Sequence, residues 1–297
     1  MSQVPEPQNA TQPLETPFSW QAITPLVWVS ILLLICFAPT LRLLVHEWMT
    51  NDDMGHGFFV PLLAGYIVWL KRGDLILPAK PCNWGLVLVV YAALQLYIAT
   101  LGAELFLART SFVISVMGVT LFLWGAANFR TLLFPLLLLF FMVPLPAIIF
   151  NQLTFPLQLF ASQVAETALM ALGIPTLREG NVLELPSQKL SVVEACSGIR
   201  SLLSLTFLAL VYGYFFDKRP WMKWVLLVVT IPIAITANAA RVTITGILSE
   251  RDPELAQGFF HMAEGWIIFA VAMVLLALAH QLISWAVKIY GRRRRAV

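Results

Sequence analysis

Eight stretches of the chain run apolar for about the length of a bilayer core, and that feature removes nearly every soluble fold from consideration. They fall at about 25–44, 57–70, 84–102, 105–126, 132–150, 198–216, 221–243 and 265–287. A hydrocarbon core about 30 Å thick takes roughly 20 helical residues. The second run is short and gains length from its flanks. Over 297 residues the chain is 59% apolar and 12% charged, against roughly 25% charged in a soluble domain. The pattern predicts an all-α polytopic membrane protein with about eight transmembrane helices, and 25–290 reads as one membrane-embedded domain.

Segment 151–172 differs from the rest. Gln158, Ser162 and Glu166 recur every four residues, which gathers polar groups on one helical face. An amphipathic helix at the interface, or a re-entrant one lining a polar cleft, fits this better than a lipid-facing span. Basic residues decide the orientation. Lys71, Arg72 and Lys80, then Arg130, then Lys218, Arg219 and Lys223, then Lys288 and 292–295 fall in alternate connections. Of the opposite connections, 45–56 holds no basic residue and 251–264 only Arg251. Positive-inside bias places the basic set in the cytoplasm, with 1–24 as a loose tail and 291–297 as a basic tail. No cleaved signal peptide is expected at the start. The count closes only if 151–172 does not cross. Residues 173–197 then face outward, and "NVLEL" and "KLSVVEA" alternate about Pro186-Ser187 as a small β-hairpin at about 181–195.

Three reactive side chains share that outer face. Cys196 precedes the sixth run, Arg241 ends the seventh, and His261 lies in the loop before the eighth. A thiol at a helix N-terminus meets free N–H groups and the positive end of the dipole, which favour its anion. A nearby Arg or protonated His favours it further. The thiolate attacks a carbonyl, and His261 serves as base and then acid. Arg241, with N–H groups at Ser197 or Gly198, is placed to hold the oxyanion. Gly198 lets substrate backbone come close. Asn238 precedes Arg241 by three residues and shares its face. Arg200 follows Cys196 by four and competes for the oxyanion role or binds a substrate carboxylate. Glu264 or Glu194 is placed to orient the imidazole, and Glu194 also fits a substrate wall. His56, after Asp52 and Asp53, either shapes the site or is structural. Two carboxylates and one imidazole do not make a metal site, and no metal or cofactor is called for. Cys36 and Cys82 read as small apolar residues, and His280 as a packed polar one.

"ACSGIR" at 195–200, "NAAR" at 238–241, the isolated His261 and "HGFFVP" at 56–61 resemble, in order and spacing, the motifs of the exosortase/archaeosortase family. That resemblance implies a membrane-embedded cysteine endopeptidase or transpeptidase with Cys196, Arg241 and His261 as its catalytic set, and it ranks Arg241 before Arg200. It implies substrates that are exported proteins with a C-terminal sorting signal: a Pro-Glu-Pro-like motif, a transmembrane helix and a basic cluster. A thioester intermediate would pass to water or to an acceptor amine or hydroxyl of a surface glycan or lipid. The expected setting is a bacterial inner membrane, with membrane lipid around the chain, no nucleic acid, and the site on the periplasmic side. The rival readings are a polytopic transporter and a non-catalytic scaffold for polysaccharide or protein export. A transporter would place polar groups near the midplane, often with repeat symmetry.

Overall fold

The computed structural model describes residues 20–76, 79–191, 198–251 and 259–295, with side chains excepted at 20–26, 52–53, 198–201, 259–265 and 291–295. In chain order come α1 (Trp20–Cys36), α2 (Ala38–Thr50), a 3-10 segment (Asp52–Phe58), α3 (Phe59–Leu70), α4 (Trp84–Leu101), α5 (Leu105–Leu138) and α6 (Ala147–Ala171). A three-stranded sheet follows, then α7 (Gly198–Phe216), α8 (Pro220–Arg251) and α9 (Phe259–Arg295). Helix therefore begins at Trp20, inside the tail expected over 1–24, and α9 runs to Arg295, inside the tail expected over 291–297.

The chain is a multi-pass, mostly helical membrane protein. Among the described residues, four helices are long and apolar enough to cross, or five if the bent pair Val27–Cys36 and Ala38–Thr50 is one span. The expected eight are not reached by that measure, for local reasons. The first run breaks at Phe37 with a bend of 73°. Pro39 opens α2 there, and without an N–H it cannot extend the ladder of α1. Helix α3 has 12 residues, about 18 Å of rise. The fourth and fifth runs merge into α5, interrupted at Gly125 (φ 76°, ψ 174°). Val116 and Leu139 line one groove, yet in a straight helix they would stand about 34 Å apart. The chain therefore folds back at Gly125, giving α5 two antiparallel legs.

Only glycine suits that reversal. The φ/ψ pair lies in a region essentially closed to other residues, and a Cβ would sit 1.9 Å from the Lys80 carbonyl oxygen. Asn128 fixes the same end by accepting from the Ile76 N–H (2.8 Å) and donating to the Ile76 carbonyl (3.0 Å). Gly125→Ala is expected to cost about 1–3 kcal/mol in backbone strain, with the clash in addition. Monodisperse protein recovered from membranes should drop sharply. Gly102→Ala, whose Cβ would meet nothing nearer than 3.5 Å, should leave recovery unchanged.

The sheet comprises β1 (Leu177–Glu179), β2 (Val182–Glu184) and β3 (Lys189–Ser191), antiparallel in that order. The expected hairpin is β2–β3, with Leu183 opposite Leu190. Residues 192–195 of it lie outside the described residues. Strand β1 was not expected; it joins β2 through Gly180 (φ +66°) and Asn181. Leu183, Leu185 and Leu190 bury against Ala161, Ala165 and Leu169 of α6 and Ala239 and Val242 of α8. The polar stripe of α6 faces this sheet. Ser162 Oγ donates to the Gly180 carbonyl (3.0 Å), Asn181 to Gln158 (3.3 Å), and Arg178 pairs with Glu166 (3.0 Å). The stripe is thus a docking seam for a β-sheet.

Candidate active site

Helices α7 and α8 run antiparallel in close register. A Cβ at Gly213 would stand 3.2 Å from the Lys223 side chain and 3.3 Å from that of Leu226. Eleven residues back along α7, Leu202 lines a void of about 10 Å³ with Asn238, Ile235 and Leu157. One further turn brings Gly198, the first residue of α7, level with Arg241 and Val242 on α8. Helix α9 joins the same group through Ile268, Phe269 and Ala272, packed with Ala234, Ala237 and Leu205. Its first turn carries His261. His261 was expected in a loop; the helix begins two residues before it instead.

On the C-terminal half of α8, Asn238, Arg241 and Thr245 form one polar stripe. Asn238 and Thr245 are buried, Arg241 is half-buried, and none of the three lacks a partner. Just beyond, the end of α8 holds the sheet. Glu250 accepts from the Ser187 N–H (3.0 Å) and hydroxyl (2.6 Å), and Gln188 donates to Ser249. The β2–β3 turn is therefore tied to the helix that carries Arg241.

His56 reaches α7 from the other side. Its Nε2 lies 3.2 Å from the Phe141 carbonyl and its Nδ1 3.3 Å from Ser204 Oγ. A carbonyl only accepts, so Nε2 carries a proton, and a neutral ring then accepts the Ser204 hydroxyl at Nδ1. Ser204 lies one turn further along α7 than Arg200. Trp48 Nε1 donates to the Met142 carbonyl (2.9 Å), so the segment after the second leg of α5 is held on both sides.

Cys196, Ser197 and Glu194 lie outside the described residues. Gly198 and Arg200 stand in the first turn of α7, and His261 and Glu264 in the first two turns of α9; the Arg200, His261 and Glu264 side chains are outside the description, as are those of Asp52 and Asp53. Among the described residues no three His, Cys, Asp or Glu side chains group as a metal site. Two pairs escaped the sequence reading. Arg109, buried in α5, pairs with Glu47 of α2 at 2.9 Å. An Arg inside an apolar run signals such a partner, but not which acid supplies it. At the opposite end, Asp217 binds Arg219 (2.5 Å) and His280 (3.0 Å), and His280 Nδ1 meets the Tyr212 hydroxyl at 3.2 Å. Hydrogen bonds from Arg219, and then from His280, hold the Asp217 carboxyl well below the usual carboxylate range. His280 is the packed polar residue that was expected.

Long apolar helices define a polytopic membrane protein, with Asn238, Arg241 and Thr245 grouped on the half of α8 that holds the sheet. A family model of transmembrane exosortases matches residues 48–278, more than three quarters of the chain. The chain belongs to that family, in general one of membrane-embedded cysteine peptidases and transpeptidases. No curated protein and no solved structure matches it.

Proposed function

We propose that the protein is an inner-membrane cysteine endopeptidase or transpeptidase, with Cys196 as nucleophile, His261 as acid–base and Arg241 as oxyanion donor on the periplasmic side. One membrane domain over 25–290 carries the site, and eight crossings result when both legs of α5 and the short helices α3 and α7 each count. The observation that carries the reading is the shared level of the α7 start, Arg241 on α8 and the first turn of α9. Chain connectivity adds to it. Cys196 is two residues before Gly198, so its Cα lies within about 7 Å of that of Gly198. The link 192–197 starts from a sheet tied to Ser249 and Glu250 and ends beside Asn238. Its first anchor is therefore held by α8, and its second is the start of α7, which packs against α8.

The substrate is an exported protein with a C-terminal sorting signal, whose own helix enters laterally from lipid. The thiolate adds to the scissile carbonyl, the oxyanion meets Arg241, and the imidazolium returns its proton to the departing amine. A thioester remains, open to water or to an amine or hydroxyl of a surface glycan or lipid. A membrane-impermeant maleimide applied from the periplasmic side of intact spheroplasts should label Cys196 and spare Cys82. A Cys82 label from that side would invert the topology. The mass of a peptide held on Cys196 after acid quench of the wild-type protein during turnover would name the cleaved bond, and an unmodified thiol while substrate is being consumed would remove the covalent step.

A further inference from the structure

A groove of about 260 Å³ lies between α3 and the two legs of α5, well above the roughly 150 Å³ that admits a benzene ring. Ala64, Leu132 and Leu136 form its buried floor, with Gly65, Val68 and Val116 on its walls. Its one hydroxyl, from Thr120, is spent within the helix on the Val116 carbonyl (2.8 Å). Such a groove in a membrane protein admits hydrocarbon. Its inner end is basic. Lys71 directly follows α3 and donates to the Thr131 carbonyl (3.0 Å), beside Leu132 of the floor. Lys223, from α8, stands 4.8 Å from the ring centres of Phe134 and Tyr214, and Lys71 stands 5.7 Å from that of Tyr214. Both ammonium groups therefore lie against the same Tyr214 ring. Among the described residues neither forms an ion pair. Arg72 lies over Trp69, and Asp74, the one acid whose charge reaches Tyr214, is exposed.

We propose that this end of the bundle binds an anionic phospholipid, its phosphate between Lys71 and Lys223 and one acyl chain in the groove. Two half-buried cations from different elements, converging on one stacked ring pair with no carboxylate ion-paired to either among the described residues, are complementary to a phosphodiester. A transmembrane helix ending in a basic cluster would bring like charge to the same place, which disfavours a sorting-signal helix as occupant. The site is independent of the catalytic reading.

Native mass spectrometry of the full chain, released from nanodiscs of equal phosphatidylglycerol and phosphatidylcholine, tests this. Wild type should retain phosphatidylglycerol in preference. Each lysine near a membrane surface is worth about fivefold in anionic-lipid binding. Lys71→Gln with Lys223→Gln should therefore lower the preference about tenfold or more, while Arg130→Gln, exposed on the second leg of α5, should leave it unchanged. Gly65→Leu fills the groove without clash, since nothing lies within 4 Å of its Cβ, and should lower retention of both lipids. Its arm stands if the lysine variant does not fold. Equal retention of the two lipids by wild type, an equal loss in Arg130→Gln, or full retention in Gly65→Leu would overturn the proposal. Displacement by inorganic phosphate at equal concentration would also count against it, reducing the site to a free-anion contact. Displacement by a synthetic sorting-signal helix that crosslinks at position 65 would assign the groove to substrate.

Discussion

Cys196→Ala and His261→Ala are each expected to abolish processing of a co-expressed, tagged protein ending in a Pro-Glu-Pro-like motif, a hydrophobic helix and a basic cluster. Processing is read as a mobility shift on a gel, and insertion as normal recovery from membranes. On the proposed mechanism the two changes remove the sulfur that forms the new bond and the group that moves its proton, so neither should leave a partial route. Residues acting as one unit are strongly non-additive, so the double variant should be no worse than either single one. Arg241→Gln should be milder, since loss of one oxyanion donor costs about 2.7–4 kcal/mol, or roughly 10²–10³ in rate. Arg200→Gln discriminates between the two arginines. A rate loss through kcat in Arg241→Gln and through KM in Arg200→Gln matches the assigned roles, and the reverse pattern exchanges them. Normal processing by Cys196→Ala would leave a scaffold as the better reading.

Asp217→Asn should lower the thermal midpoint in detergent by roughly 5 °C or more. The carboxylate is buried between Arg219, Ser284's neighbour, and His280, so its loss unties the α7–α8 turn from α9. Breaking a buried pair costs several kcal/mol. Arg219 is about a third exposed, so about 2–3 kcal/mol is the expected share here. The pH dependence has a defined sign. The folded pKa is depressed, so the stabilisation is complete above the unfolded carboxylate value and is lost as pH falls through the folded one. That value lies below the usual range. The difference between wild type and Asp217→Asn should therefore stay constant from pH 8 to pH 5 and shrink only in strong acid. A difference that vanishes by pH 6 would mean the carboxylate is not held by these partners.

Periodicity made some of this architecture legible. Gln158, Ser162 and Glu166 announced a face needing polar partners, yet an i, i+4 pattern does not say whether water, headgroups or a strand supplies them. The partner strand β1 is three residues long with two of them charged, and only Gly180-Asn181, a two-residue hairpin loop, marked it. Hydropathy found α4, α8 and α9. It could not see that one helix ends at Cys36 and another begins at Ala38, because the composition on both sides is alike. At Gly125 the apolar runs themselves suggested two crossings, and the fold-back agrees with that division even though helix continues almost without a gap. His261 was misjudged because the polar stretch before α9 hides a helix start two residues earlier. Arg241 and Asn238 were legible from their spacing and depth. His56 was flagged without a partner, since neither the Phe141 carbonyl nor Ser204 carries a local signature.

The tether of the β2–β3 turn to Ser249 and Glu250 has a mechanical consequence. A thicker or thinner bilayer tips a long helix such as α8 to match its apolar length. The hairpin, the guanidinium and the near end of the thiol-bearing link ride on that one lever, so tilt swings them together and leaves their mutual spacing intact. Thickness would then alter how high the cutting point stands above the lipid, and so which bond of an incoming chain it meets, before it altered the cutting itself.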